Sequence, residues 1–393
     1  MGKYPRIYLS LDNCFAVKRW ISPAEWMRIA EQIGCGYIEV STDTECDPFY
    51  GNQSYLDDWL ESVHVAQAQH NVTIANFFTG YSTYRTAGLL HPDDRIRDRL
   101  VNDWFKVMIG LAARLEAGLG FYIQAFPNSV LQDPEEYQLF KQRLFETIAG
   151  LVRYGALAGS GYLMLEQMYS PHQYPWTIET GKEYLREVYR LSGEPSYLAL
   201  DSGHATGQVR FLRPTKERIE RSIEEMKNND RPTPVWWGAE TTRRLFRDFR
   251  APSSAAWGEL LRAVESEMDR FPYLFSEQKD CDLYQWLREL GCYAPVIHLQ
   301  QTNGQSSSHL PFTRENNRNG IVHPKKILEA LRQAYQGPED PLLPPRCGKI
   351  FLTLEIFFGA ADYPDQIVDR LKESVEFWRQ YLPEDGLSLD KLV

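Results

Sequence analysis

The sequence predicts an α/β chain folded as a (β/α)8 TIM barrel with a helical insertion after the sixth strand. Three observations carry this. Short, nearly all-apolar runs alternate with amphipathic stretches along the whole 393 residues, and eight such pairs can be counted. Runs that lack a polar–apolar alternation fit a parallel sheet covered by helices on its outside, and eight units in succession favour closure into a barrel. The alternative, an open doubly wound sheet, usually carries a glycine fingerprint after its first strand, and SLDNCFAV has none.

The units follow in order. The first strand is Arg6–Leu11; its helix starts at an N-cap Ser22 with Pro23 at N1 and Glu25 at N3, and Gly34 and Gly36 stop it. The second strand is Tyr37–Ser41, with a helix over Tyr55–Gln69 that places Leu56, Trp59, Leu60, Val63 and Ala66 at helical spacing. The third is Val72–Phe78 with a helix over Asp93–Leu115, and the fourth is Gly120–Phe126 with a helix over Pro134–Gly155. The fifth is Tyr162–Glu166 with a helix over Thr177–Leu191, and the sixth is Tyr197–Asp201 with a helix over Pro214–Lys227. The seventh is Ala294–Leu299 with a helix over Pro324–Tyr335, and the eighth is Ile350–Glu355 with a helix over Pro364–Tyr381. The whole chain, 1–393, reads as a single barrel domain.

The stretch 228–292 exceeds what a connection inside a barrel needs. It carries helical patterns near Glu240–Asp248, Ser254–Arg270 and Asp280–Leu290, with Trp236 and Trp237 at its front. It reads as an insertion that serves as a lid, as a subunit contact, or as packing against the outer helices.

Composition narrows the function. The net charge is 43 − 53 = −10, which argues against a nucleic-acid partner, because phosphate-backbone binding needs a basic face. With 13% aromatics and ten tryptophans, disorder is excluded as the main state. There is no run of about 18 apolar residues, so no membrane-spanning helix is expected, and the N-terminal segment lacks the apolar core of a secretion signal. The six cysteines (Cys14, Cys35, Cys46, Cys281, Cys292, Cys347) form no CxxC pair and no metal-like spacing. They read as reduced thiols of a cytoplasmic protein.

The strongest functional signal is positional. Active sites of such barrels form at the C-terminal ends of the strands. Strand five ends LMLEQMY at Glu166, strand six LALDSGH at Asp201 with His204 three residues on, strand seven PVIHLQQTNG at His298, and strand eight LTLEIFF at Glu355. A charge directly after an apolar run is costly to bury unless it is paired or metal-bound. Four on adjacent strands at the same end point to one shared site. Three carboxylates and an imidazole suit one divalent ion, with Mn²⁺ or Mg²⁺ favoured and Co²⁺ or Zn²⁺ also accommodated.

This order of Glu on strand five, Asp-x-x-His after strand six, His on strand seven and Glu on strand eight resembles the xylose isomerase-like TIM-barrel superfamily. Within it, the match is closest to the sugar and sugar-phosphate isomerase/epimerase branch, which includes ketose 3-epimerases. The resemblance spans essentially the full barrel, and its specificity lies in the joint order of short motifs. It implies that Glu166, Asp201, His298 and Glu355 bind one metal. It also implies that Glu166 and Glu355 form the acid/base pair and that His204 holds substrate oxygens near the metal. A homo-oligomer would be in keeping with that superfamily.

The chemistry is coherent. A metal on a carbonyl and its neighbouring hydroxyl stabilises the enediolate left when a carboxylate removes the α-proton. Return from the opposite face gives epimerisation, and return to the neighbouring carbon gives isomerisation. The sequence departs from ketose epimerases of free sugars in one place. They typically have Arg six residues after the strand-seven His, and here that position is Gly304. The segment offers Gln300, Gln301, Ser306, Ser307, Ser308 and His309 instead. A loop after strand seven rich in hydroxyl and backbone donors suggests a phosphorylated substrate, such as a short ketose phosphate, or else only a polar loop.

Further candidates for substrate contact are Arg85, Tyr81 and Tyr84 after strand three, and His172 after strand five; Glu39, Asp43 and Asp12 after the early strands could orient substrate. The competing readings are an endonuclease IV-like metal-dependent hydrolase, disfavoured by too few strand-end histidines and by the acidic charge, and a noncatalytic sugar-binding barrel.

Overall fold

The eight apolar runs form eight parallel strands in a computed structural model that describes residues 3–17, 19–79, 88–123, 125–227, 234–248 and 254–393. They are β1 (Arg6–Asp12), β2 (Tyr37–Ser41), β3 (Thr73–Phe78), β4 (Gly118–Phe121), β5 (Leu163–Glu166), β6 (Tyr197–Asp201), β7 (Val296–Leu299) and β8 (Lys349–Leu354). Each pairs with the next, and β1 pairs with both β8 and β2, so the sheet closes. Closure leaves none of these strands with a free edge over its full length. A short ninth strand, β9 (Leu387–Ser388), runs antiparallel to the start of β1.

The outer helices are α1 (Pro23–Gln32), α2 (Gln53–Gln69), α3 (94–114, with a π-helical turn at Leu100–Phe105), α4 (Pro134–Ala158), α5 (Ile178–Ser192), α6 (Lys216–Lys227), α7 (Glu240–Asp248), α8 (Ser254–Asp269), α9 (Leu283–Leu290), α10 (Pro324–Ala334) and α11 (Pro364–Arg379). Their boundaries have local causes. Asn52 and Asp133 accept backbone N–H groups at the starts of α2 and α4, and Thr177 does the same for α5. Gly159 and Gly193 take the left-handed conformation that ends α4 and α5. The apolar stripes of these helices cover the barrel. Trp26 on α1, Trp104 on α3, Trp286 on α9 and Trp378 on α11 are among the largest fully buried side chains, and removing one such ring costs about 3–5 kcal/mol.

Two elements lie elsewhere than the sequence pattern suggests. The fourth strand was expected over Gly120–Phe126 and forms at Gly118–Phe121. Glycine there acts as a space-maker and not as a boundary. A Cβ on Gly118 would come within 2.4 Å of the Tyr162 ring, and one on Gly120 within 2.2 Å of the Phe78 ring. Both aromatics lie across the β4 backbone. The second difference concerns the sixth helix of the ring. Within the 228–292 stretch, α9 packs against α5, α10 and β6. Leu290 reaches Gly181 of α5, and Glu289 pairs with Lys182 at 3.0 Å. α9 therefore fills the sixth outer position. α6 packs instead on α8, and α8 on α7, as an excursion after the sixth strand. Tyr273, just beyond α8, stacks on Tyr137 of α4 at 3.8 Å, and Gln132 accepts the Glu240 N–H at 2.6 Å, which ties this excursion to the fourth unit.

Among the described residues no helix is long and apolar enough to cross a membrane. All six cysteines are free thiols.

Candidate metal and proton-transfer site

The register of the sheet sets the site. Asp201 and His298 are direct partners across β6 and β7. Glu166 ends β5, and Glu355 follows β8 with its N–H held by the Leu299 carbonyl at 3.0 Å. One ligand atom from each of Glu166, Asp201, His298 and Glu355 lies within 4.8 Å of all the others. Glu166, Asp201 and His298 are buried, and the Glu355 side chain is 14% exposed.

His298 is the hub. Its Nδ1 lies 3.1 Å from Glu166 Oε1 and 3.5 Å from Glu355 Oε2. Its Nε2 lies 2.7 Å from Glu39 Oε1 of β2. Burial would favour a neutral ring, but Glu39 and Glu355 outweigh it and hold His298 well above the usual imidazole range. The Phe78 ring meets it edge-on at 4.6 Å.

Asp201 is fixed by donors. Its Oδ1 accepts N–H groups of Gly203 and His204 at 2.7 and 2.9 Å, and Gln300 Nε2 spans both oxygens at 2.9 and 3.0 Å. Burial pushes its carboxyl up, and the electrostatic pull of the neighbouring imidazoles of His204, His309 and His298 with the Gln300 amide brings it below the ordinary value. Glu355 goes the other way. Burial raises it well above the carboxylate range; His298 offsets part of this, while Asp201, Glu166 and Asp12 add to it. Asp12, opposite Glu39 in the β1–β2 register, is pushed up to about 7 by burial and by Glu39.

His204 donates from Nδ1 to the Gln167 carbonyl at 2.7 Å, because a carbonyl can only accept, and its Nε2 lies 3.9 Å from Asp201 Oδ1. His309 reaches Glu355 Oε2 at 3.4 Å through Nδ1. Burial holds His309 neutral, down at about 4.

These groups fit a divalent cation. Among the described residues, no lysine or arginine pairs with Glu39, Glu166, Asp201 or Glu355, and Glu355 Oε2 is buried without a hydrogen-bond partner. Buried carboxylates gathered this way need positive charge. An octahedral or tetrahedral ion held by oxygen and imidazole donors would supply it.

Of the other sequence candidates, Gln300, Ser307 and His309 join the cluster: Gln300 Nε2 lies 2.8 Å from Ser307 Oγ and 3.2 Å from His309 Nε2. Ser308 turns back on its own loop, with its hydroxyl on the Ser306 carbonyl at 3.1 Å. His172 contacts the Phe126 backbone, with Nδ1 3.3 Å from its carbonyl, and so joins the loops after β4 and β5. Tyr81, Tyr84 and Arg85 lie outside the described residues. The sequence reading placed Glu39 among possible substrate contacts and missed its bond to His298. The signal was present, because Glu39 interrupts an apolar run as the four later strand-end residues end theirs, and it is fully buried.

Comparisons with known proteins come from several directions. No family model matches the chain. A D-erythrulose 1-phosphate 3-epimerase of Brucella abortus is 24% identical over 118 residues, which are 30% of this chain and 34% of that protein. The chain thus matches about a third of the length of that curated relative. A putative xylose isomerase from Rhodospirillum rubrum superposes with a TM-score of 0.67 at 16% identity, over 95% of this chain and 99% of that one. A D-psicose 3-epimerase solved with D-fructose gives 0.55 at 12% identity, over 96% and 100% of the two chains. A D-allulose 3-epimerase from Methylomonas sp. in complex with D-allulose gives 0.54 at 13%, over 96% and 98%. These likenesses show a shared TIM-barrel fold.

Proposed function

We propose that this chain is a divalent-metal-dependent isomerase or epimerase of a small sugar or ketose phosphate, within the xylose isomerase-like sugar isomerase/epimerase branch. The observation that carries this is the set Glu166, Asp201, His298 and Glu355 at four adjacent strand ends, with ligand atoms within 4.8 Å of one another. The fold shared with sugar epimerases and the partial match to an erythrulose-phosphate epimerase support it.

The four residues hold the ion, with Mn²⁺ or Mg²⁺ favoured and Co²⁺ or Zn²⁺ accommodated. When bound, it polarises the substrate carbonyl and makes the α-proton acidic. Glu166 and Glu355 are the acid/base pair. One removes the proton at the carbon next to the carbonyl and the other returns one, which inverts that centre, or delivers it to the neighbouring carbon, which exchanges aldose and ketose. His204 hydrogen-bonds substrate oxygens near the metal through Nε2. The curated relative's substrate class favours a phosphorylated short ketose, with the phosphate near the loop of Ser307 and Ser308; Gly304, which leaves no arginine at that place, is in keeping with a ligand held by neutral donors. We read 1–393 as one barrel domain working as a cytoplasmic enzyme, in line with six free thiols, and as a homo-oligomer in keeping with the superfamily.

The test is solvent-deuterium uptake by a panel of ketoses and ketose phosphates with Mn²⁺ or Mg²⁺. Uptake at the carbon beside the carbonyl, lost in Glu355→Gln and Glu166→Gln, is the expected result. No uptake from any member by the metal-loaded wild type would sink the reading.

A further inference from the structure

In the segment 300–309 a directed chain of hydrogen bonds runs from Asp201 to His309, whose Nδ1 lies 3.4 Å from Glu355 Oε2. The direction can be assigned from chemistry. Asp201 only accepts, so the Gln300 side chain must present its NH2 to Asp201. The His309 backbone N–H only donates, so Gln300 Oε1 must face it, at 2.6 Å. Both constraints agree on one amide orientation. The second Gln300 N–H then points at Ser307 Oγ (2.8 Å) and His309 Nε2 (3.2 Å). An amide NH2 only donates, so its 3.2 Å contact makes Nε2 an acceptor, with the Ser307 hydroxyl 3.3 Å from the same nitrogen. With Nε2 accepting, the ring proton is on Nδ1, which faces Glu355 Oε2 at 3.4 Å. Both atoms are buried and neither has a hydrogen-bond partner among the described residues, so each is left to the other.

The ring is held for this purpose. His309 adopts a left-handed backbone with φ of 45°, rare for a residue with a side chain. Its carbonyl accepts the Phe357 N–H at 3.1 Å, and its ring lies flat on Phe357 at 4.0 Å and 6°. Backbone, ring face and Nε2 are thus all constrained, and they set where Nδ1 points.

We infer that His309 is a positioning residue: its Nδ1–H, fixed in that tautomer by Asp201 through Gln300, aims the Glu355 carboxylate for proton transfer. This rests on the proposed role of Glu355 and adds a residue and a tautomer to it.

Two measurements test it. The first needs no substrate. In protein carrying ¹⁵N-labelled histidine with Mg²⁺ present, the His309 signals, assigned by their loss in His309→Asn, should show a protonated Nδ1 and a lone-pair Nε2. In Gln300→Leu they should move toward the other tautomer. An Nε2–H ring in the wild type, or a ratio unmoved in Gln300→Leu, overturns the inference. The second is deuterium uptake. His309→Ala should lower kcat about 10–100-fold, in line with the loss of an outer-shell partner, with KM within about twofold. His309→Asn, whose amide N–H falls near Nδ1, should recover most of that loss, and His309→Gln should not. Equal activity of the Asn and Gln variants would mean that the ring only fills space. Absence of uptake by the wild type would overturn the functional reading instead, while the tautomer result stands by itself.

Discussion

Replacing Glu39 with Gln should weaken metal binding by an amount that depends on pH in an unusual direction. Glu39 Oε1 sits 2.7 Å from His298 Nε2, and neither side chain is exposed. At an effective dielectric of 20, a carboxylate and an imidazolium at that distance attract by about 6 kcal/mol. In the metal-free protein this keeps His298 charged. With an ion on Nδ1 the ring must be neutral, and Nε2–H then donates to Glu39, which fixes the ring and raises its basicity. Glu39 thus acts on both sides of the equilibrium. It strengthens the bound state, and it also strengthens the proton that the ion must displace. At pH 8.5 the first effect dominates, and Glu39→Gln should lower affinity about 10–100-fold, or about 1.4–2.7 kcal/mol. At pH 6 the wild type is handicapped by its tightly held proton, so the gap should narrow. The assay is competitive titration with Mn²⁺ against a chelating dye at several pH values, with circular dichroism to confirm folding. Equal affinities at pH 8.5, or a gap that widens as pH falls, would refute the account.

Other consequences can be measured directly. Glu45, buried beside Trp59, is pushed up to about 7 by burial from an ordinary value of 4.5. The folded chain therefore holds this proton more tightly than the unfolded chain, and stability should fall as pH rises from about 4.5 to about 7. Glu45→Gln, which can still accept from Trp59, should be neutral at pH 4 and stabilising by about 3 kcal/mol at pH 8 in urea unfolding; no gain at pH 8 would show that the carboxyl ionises freely. Gly120→Ala should destabilise by about 1–3 kcal/mol, because its Cβ would meet the Phe78 ring; an unchanged denaturation midpoint would mean that the ring yields. Metal at 100 times its Kd should add about 2.7 kcal/mol of stability, removable by EDTA, and Asp201→Asn should lose most of that gain; a melting curve indifferent to metal and chelator would count against the site.

The barrel was legible because its strands are buried on both faces, so their apolar runs stand out from the amphipathic helices. Strand β4 was misplaced because its two glycines carry no apolar signal of their own; their meaning lies in the rings of Phe78 at the end of β3 and of Tyr162 just before β5. α9 was grouped with the insertion because a stripe of Leu283, Trp286, Leu287 and Leu290 looks the same whether it faces the barrel or a neighbouring excursion. The four strand-end residues could be found from burial cost alone. The same argument applied to β2 would have raised Glu39 from a possible substrate contact to a partner in the charge cluster. The path from Gln300 through Ser307 to His309 could be named but not ordered from sequence, since its direction depends on a turn with a left-handed histidine.

The closing seam of the barrel has a consequence for synthesis of the chain. β1 is registered residue for residue with β8, from Arg6 against Lys349 to Leu11 against Leu354. Translation at about 5–20 residues per second leaves β1 without that partner for roughly 20–70 s after it emerges. During that interval one flank of an apolar strand offers unpaired backbone groups to any neighbour. Leu387 and Ser388, later in the chain than β8, lie against Ile7 and Arg6, so β1 is fully enclosed only after they too have emerged. Nascent chains stalled before β8 should therefore be held by chaperones and remain open to proteases, and release past Ser388 should end both.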